Sequence, residues 1–188
     1  MVRKGRVRAI EADDLAALAT AKLAALGTAQ VAALSTAQVV ALQTDDLNAM
    51  STAQFAALTS AQAAGLTTPQ VATHETADLA ALRTANIRAL TTAAIAALTT
   101  DEVVALTTAQ AAALTTDQIV ALTSAQIRAI QVADLGAIDS ADLKALQAAQ
   151  MAGFTSAQLR ALGPEDLKGL TTDALRALGA DQLGSLTS

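Results

Sequence analysis

Apolar residues return along this chain with a spacing of eight. Lettering the octad a to h, position a holds an apolar residue, mostly large or branched: Val7, Leu15, Leu23, Val31, Val39, Leu47, Phe55 and onward to Leu183. Position d is Leu almost throughout, as at Leu18, Leu26, Leu34 and Leu42, with Ile10, Met50, Ile130, Ile138 and Phe154 as variants and His74 as the polar exception. Position c is Ala or another small residue (Gly65, Thr73, Gly153, Gly169, Ser185), which implies a close approach between neighbouring segments. Position b varies freely, through Arg8, Asn48, Val120, Arg128, Gly136 and Lys144, as a solvated position would. The register never slips: 22 octads fill residues 7–182, since 22 × 8 = 176, and a partial octad follows.

A strand needs alternation, which an a/d spacing of three denies. Ala is a poor strand former and the best helix former. Residues three apart share a helix face, so a to d spans one helical turn. Position f, mostly Thr or Ser (Thr20, Thr28, Thr36, Thr92, Thr100, Thr108, Ser124, Ser156), supplies an N-cap hydroxyl for the exposed N–H groups of that turn. Position h follows with Gln, Asp or Glu, where a carboxylate favours the positive helix start. Basic residues collect instead at b, toward the helix end: Arg88, Arg128, Arg160, Arg176. A cap at e is the alternative, reading Thr99 to Glu102 as a capping box and placing Pro164 at the first helical position. The greater frequency of Thr and Ser at f favours f.

One continuous helix is excluded. Eight residues turn about 800°, about 80° past two full turns, so the a/d stripe would wrap around the helix and bury nowhere. The pattern predicts an all-α solenoid: helices of about five to seven residues, each too short to be stable alone, with a sharp corner at e. Positions a and d point inward, and three or four octads close a turn. With layers about 8–10 Å apart, the array is a rod on the order of 50–75 Å long. Residues 1–6 read as a basic lead and 7–188 as a single continuous array.

Composition sharpens this picture. The 188 residues are 53% hydrophobic and 15% charged, against disorder, while the only aromatics are Phe55 and Phe154. The core is therefore aliphatic. There is no Cys, hence no disulfide and no thiolate metal site. A net charge of −5 argues against general nucleic-acid binding. The opening "MVRKGRVR" is basic but no apolar stretch follows it, so no signal peptide is expected. Polar pairs interrupt every octad, so neither a transmembrane helix nor membrane insertion is expected. The compartment is not legible.

The unbroken T-T-A-Q-x-A-A-L phrase resembles octapeptide arrays of large repetitive bacterial proteins over nearly the whole chain. That resemblance implies a structural repeat and no particular activity. "LTTDQIVAL" (Leu114–Leu122) and "LGPEDLKGL" (Leu162–Leu170) are similar to the first helix of TAL-effector repeats, which supports a helix with a Thr/Pro start. That family's second helix and base-reading loop have no counterpart here, so DNA binding is not carried over. "TADLAAL" resembles words of pentapeptide repeats, whose period of five is incompatible with eight.

No catalytic, cofactor-binding or metal-binding residue is assigned. His74, the one histidine, reads as a core lapse with its imidazole partly exposed or bonded to a carbonyl, rather than a ligand or pH switch. The pairs Asp45/Asp46, Asp101/Glu102 and Glu165/Asp166 read as complements to helix dipoles rather than acid–base pairs. Arg128, Lys144, Arg160, Lys168 and Arg176 share position b and read as a mixed solvated surface. Arg3, Lys4, Arg6 and Arg8 form the densest positive cluster, fitted to an exposed array end or an acidic partner. The expected function is a non-enzymatic scaffold, spacer or protein-interaction module, with a protein partner or end-to-end self-association. The alternative is an outer track that binds nucleic acid, another anionic ligand or ice. An amphipathic lipid-surface helix is excluded by the drifting stripe.

Overall fold

A computed structural model describes residue 11 and residues 20–186 of the chain. The Arg3–Arg8 cluster and the rest of the basic lead lie outside the described residues. The described residues form 21 short helices and no strand, one helix per octad. The chain divides into two compact units, Met1–Ala97 and Leu98–Ser188. The first contains α1 (Thr20–Ala24), α2 (Thr28–Val31), α3 (Thr36–Ala41), α4 (Thr44–Asn48), α5 (Thr52–Ala56), α6 (Ser60–Ala64), α7 (Thr68–Ala72), α8 (Thr76–Ala81), α9 (Thr84–Ala89) and α10 (Thr92–Ala97). The second contains α11 (Thr100–Ala105), α12 (Thr108–Ala111), α13 (Thr116–Ala121), α14 (Ser124–Ala129), α15 (Val132–Leu135), α16 (Ser140–Leu143), α17 (Ala148–Met151), α18 (Ser156–Ala161), α19 (Pro164–Lys168), α20 (Thr172–Arg176) and α21 (Ala180–Ser185).

Helices run four to six residues: most lie within the expected length, and the four-residue ones, such as α2, fall below it. The N-cap sits at e and not at f, which corrects the assignment favoured from residue frequencies. Ser35, Ser51, Thr59, Thr99 and Thr155 have extended backbone, and each hydroxyl accepts from the N–H three residues on. The h side chain reaches back to the N–H at e, so e and h satisfy each other as a capping box. Position f is then the first helical residue. At the other end, d leaves the helix with extended backbone, as at Leu42 (φ −63°, ψ 137°) and Leu122 (φ −63°, ψ 136°). The corner is thus the pair d–e. No described residue has positive φ, which is why Leu and Thr serve there without glycine.

Inside the coil, a and d form the core. Val39, Leu47, Phe55 and Ile87 are 0% exposed. Each helix packs on the third helix along: in the first unit α5 on α8, α6 on α9 and α7 on α10, and in the second α11 on α14, α17 on α20 and α18 on α21. Side chains extend the contact to a span of 28 residues, as from Gln62 to Leu34 and from Gln158 to Ile130. A span of 28 is three and a half octads, so successive turns mesh half an octad out of step. The small residue at c is explained by the same meshing. A Cβ on Gly153 would lie 2.4 Å from the carbonyl oxygen of Ser124 on the turn before, and one on Gly65 would lie 2.3 Å from Cγ2 of Thr36.

Candidate functional site

The chemistry of this array lies in the seam between turns, and position h builds it. Gln62 is 1% exposed, Gln126 and Gln158 2%, and Gln54 3%. One carboxamide does three tasks. The Oε1 of Gln158 accepts from the N–H of Thr155, while its Nε2 donates to the carbonyls of Ile127 at 2.8 Å and Ile130 at 2.7 Å on the turn before. Gln62 (Val31 and Leu34), Gln70 (Val39 and Leu42), Gln150 (Ile119 and Leu122) and Gln182 (Met151 and Phe154) repeat the arrangement. Those carbonyls belong to a and d, where each helix ends: the a carbonyl also accepts from the N–H of d, as Ile127 does from Ile130, so the d carbonyl is the one that depends on the amide. A buried amide is tolerated because every one of its polar atoms is paired.

Asp at h is one methylene shorter and makes a different bond. Its Oδ2 still caps, as from Asp166 to the N–H of Gly163 at 2.9 Å. Its Oδ1 stops at the f hydroxyl 26 residues earlier: Thr20 donates to Asp46 at 2.9 Å and Thr108 to Asp134 at 2.7 Å, and Thr116 to Asp142 and Ser140 to Asp166 make the same bond. Asn86 does both, accepting from Ser60 and donating to the carbonyl of Leu58 at 2.9 Å. Arg83 adds a second donor to that carbonyl at 2.6 Å.

In the second unit Asp at h thus occupies an f hydroxyl, whereas in the first unit Thr36, 26 residues before Gln62, donates to the carbonyl of Ala61. Thr100, Ser124 and Ser156 stand 26 residues before Gln126, Gln150 and Gln182, whose amides are committed to carbonyls or caps. These hydroxyls line two neighbouring cavities of about 490 and about 430 Å³ in the second unit, which share Arg128 and Ala152. The floor is small, with Gly153 and Ala180 among its residues. The ion pairs among the described residues are Lys168–Glu165 at 2.7 Å and Arg176–Asp173 at 3.7 Å, and both are highly exposed. Arg128 belongs to neither. The b track is thus not uniform: Lys168 and Arg176 pair within their own helices, whereas Arg128 faces a groove.

His74 departs from its expectation. It is 8% exposed, and neither ring nitrogen has a hydrogen-bond partner. The ring stands edge-on to Phe55, centroids 4.8 Å apart. Aromatic packing replaces both expected solutions, and burial lowers its pKa to about 4. Four residues on, burial and then the charge of Glu75 push the carboxyl of Asp78 up to about 6. Glu102 caps Thr99 through Oε2 at 2.7 Å, but its Oε1 is buried and unpartnered, and burial raises its pKa. No group of three or more potential metal ligands exists among the described residues, and no described helix is long and apolar enough to cross a membrane.

Sequence reasoning placed the h residues at the helix dipole and missed their larger role. The overlooked signal is compositional. A position that takes Gln far more often than Glu demands a donor as well as an acceptor, and a dipole complement does not. No curated protein matches the chain. The ALTTAQ repeat, by contrast, matches at residues 7–44, 39–73, 75–108, 103–132, 135–165 and 159–188. Its six matches take in nearly every octad, and so the chain belongs to the ALTTAQ-repeat family.

Proposed function

We propose that the array is a non-enzymatic scaffold that holds a fixed spacing and offers its outer surface to protein partners. The observation that carries this reading is the buried amide at h, which ties each turn to two carbonyls of the turn before. Stitching of this kind stiffens a coil whose helices cannot stand alone. Spin labels at Ala37 and Ala85, both exposed and both in the first unit, test it. The chain has no Cys, so cysteines placed there are the sole attachment points. A stiff scaffold gives one narrow interspin distance; a broad distribution contradicts the reading.

End-to-end self-association is favoured by a second observation. Position a is 0–3% exposed from Leu23 to Leu159, yet Leu175 is 38% and Leu183 46% exposed. A turn of octads from a second copy would cover them as inner turns are covered. Mass by light scattering rises with concentration if this contact forms, and a mass fixed at one chain across the range contradicts it.

A further inference from the structure

The groove around Arg128 has the makings of a recognition site, and this inference rests on the interaction-scaffold reading. Four observations converge there. Arg128 is exposed, is engaged in no ion pair and lines both cavities, and its guanidinium carries five N–H donors. Thr100, Ser124 and Ser156 bring hydroxyls that the seam has not consumed. The exposed, small Ala152 lines both cavities and sets no bulk against an occupant. Two cavities meet at Arg128, so an occupant extends to both sides of it.

The charge pattern selects the class of ligand. Arg128 is the one charged residue lining the smaller cavity, and Asp181 is the one carboxylate lining the larger. A chain with a negative charge at every unit would meet Asp181 and find a single cation to offset it. Nucleic-acid bases would find no stacking surface, because the lining aromatic, Phe154, is only 2% exposed. A peptide with one acidic residue satisfies every element: a carboxylate for the guanidinium fork, and neutral backbone carbonyls and amides for the hydroxyls. On the Asp181 side an uncharged or basic residue fits.

We propose that the groove centred on Arg128, with Thr100, Ser124 and Ser156 on its walls, binds an extended protein segment carrying a single acidic residue between small, uncharged ones. The test is a ¹H–¹⁵N NMR titration of the full chain with the blocked peptide Ala-Ala-Ser-Glu-Ser-Ala-Ala. The expected result is saturable shifts confined to the amides around residues 100, 124–128 and 152–156. Affinity falls by about tenfold or more in Arg128→Ala, and by a similar factor for the Gln-for-Glu peptide, each change removing one charge-assisted contact. Arg128 is exposed, so the variant keeps its fold, and an unchanged spectrum elsewhere verifies this. Equal affinity of the Glu and Gln peptides, absence of shifts in the groove, or tighter binding of an oligo-thymidylate of similar length overturns the proposal. The interspin distance in the first unit is untouched by any of these results, so failure here is distinguishable from failure of the scaffold reading.

Discussion

Two sectors of the second unit solve the same problem with different side chains. In one, Gln126 and Gln182 lie two 28-residue spans apart (126 + 56 = 182), and Gln150 and Gln158 flank the intermediate position 154. In the other, Asp134 and Asp142 flank 138, one span before Asp166. The amide sector bonds buried carbonyls, and its residues are at most 5% exposed where both turns are present. The carboxylate sector bonds hydroxyls instead: Asp142 and Asp166 are half-buried, while Asp134 is 4% exposed. One methylene thus changes the partner of the seam. The side effect is what gives the molecule distinct faces. Hydroxyls at f are spent on the carboxylate side and left over on the amide side, where Arg128 sits.

The largest break in this comparison is truncation. Gln158→Ala strands the buried carbonyl of Ile130 and the N–H of Thr155, while the carbonyl of Ile127 keeps its bond from the Ile130 N–H; it should cost about 2–3 kcal/mol, whereas Asp142→Ala releases one exposed hydroxyl and should cost about 1 kcal/mol or less. Urea denaturation of the two variants measures the gap. Asp78, in the first unit, is the exception: Thr52 stands 26 residues before it, yet this buried carboxylate at h takes no bond from that hydroxyl. Its carboxyl is raised to about 6, so the folded state binds the extra proton between roughly pH 4 and 6 and its contribution to stability falls as pH rises through that window. Asp78→Asn should therefore stabilise by about 2 kcal/mol at pH 7, with the gain disappearing near pH 4. A gain independent of pH would contradict the stated cause.

His74 gives a smaller effect of opposite slope. Its pKa is lowered to about 4, so the unfolded chain binds more protons between pH 6.5 and 4 and stability is lost as pH falls through that window. His74→Leu, which restores the usual residue at d, should add about 1–2 kcal/mol at pH 7 and flatten this slope. Denaturation midpoints at pH 7 and pH 5 for both proteins check it. A clear loss of stability would mean that the Phe55 contact outweighs two unpaired nitrogens.

Much of the fold was legible because the octad repeats its instructions. The a/d spacing, Ala at c and the weak tendency of paired Thr to continue a helix all point to short helices that bury one face on their neighbours. Cap placement was misread because Thr is frequent at both e and f, and frequency cannot separate a hydroxyl that caps from one that faces the next turn. The geometry separates them: Thr99 caps Glu102, while Thr108 donates to Asp134 across 26 residues. The groove was not legible for the same reason. Arg128 shares position b with Lys168 and Arg176, and only the three-and-a-half-octad turn decides which hydroxyls stand beside it.

The central claim is that h reads the turn before it, at fixed spans of 26 and 28 residues. Its most direct test is the difference in unfolding free energy between Gln150→Asp and Gln158→Asp. Both changes strand the same kinds of carbonyl, but Ser124 stands 26 residues before position 150 and Val132 stands 26 before position 158. The account predicts that Gln158→Asp is less stable than Gln150→Asp by about 1 kcal/mol, and that adding Val132→Thr, at a residue 45% exposed, closes the gap. Equal losses in the two variants, or a gap that Val132→Thr leaves unchanged, would contradict it.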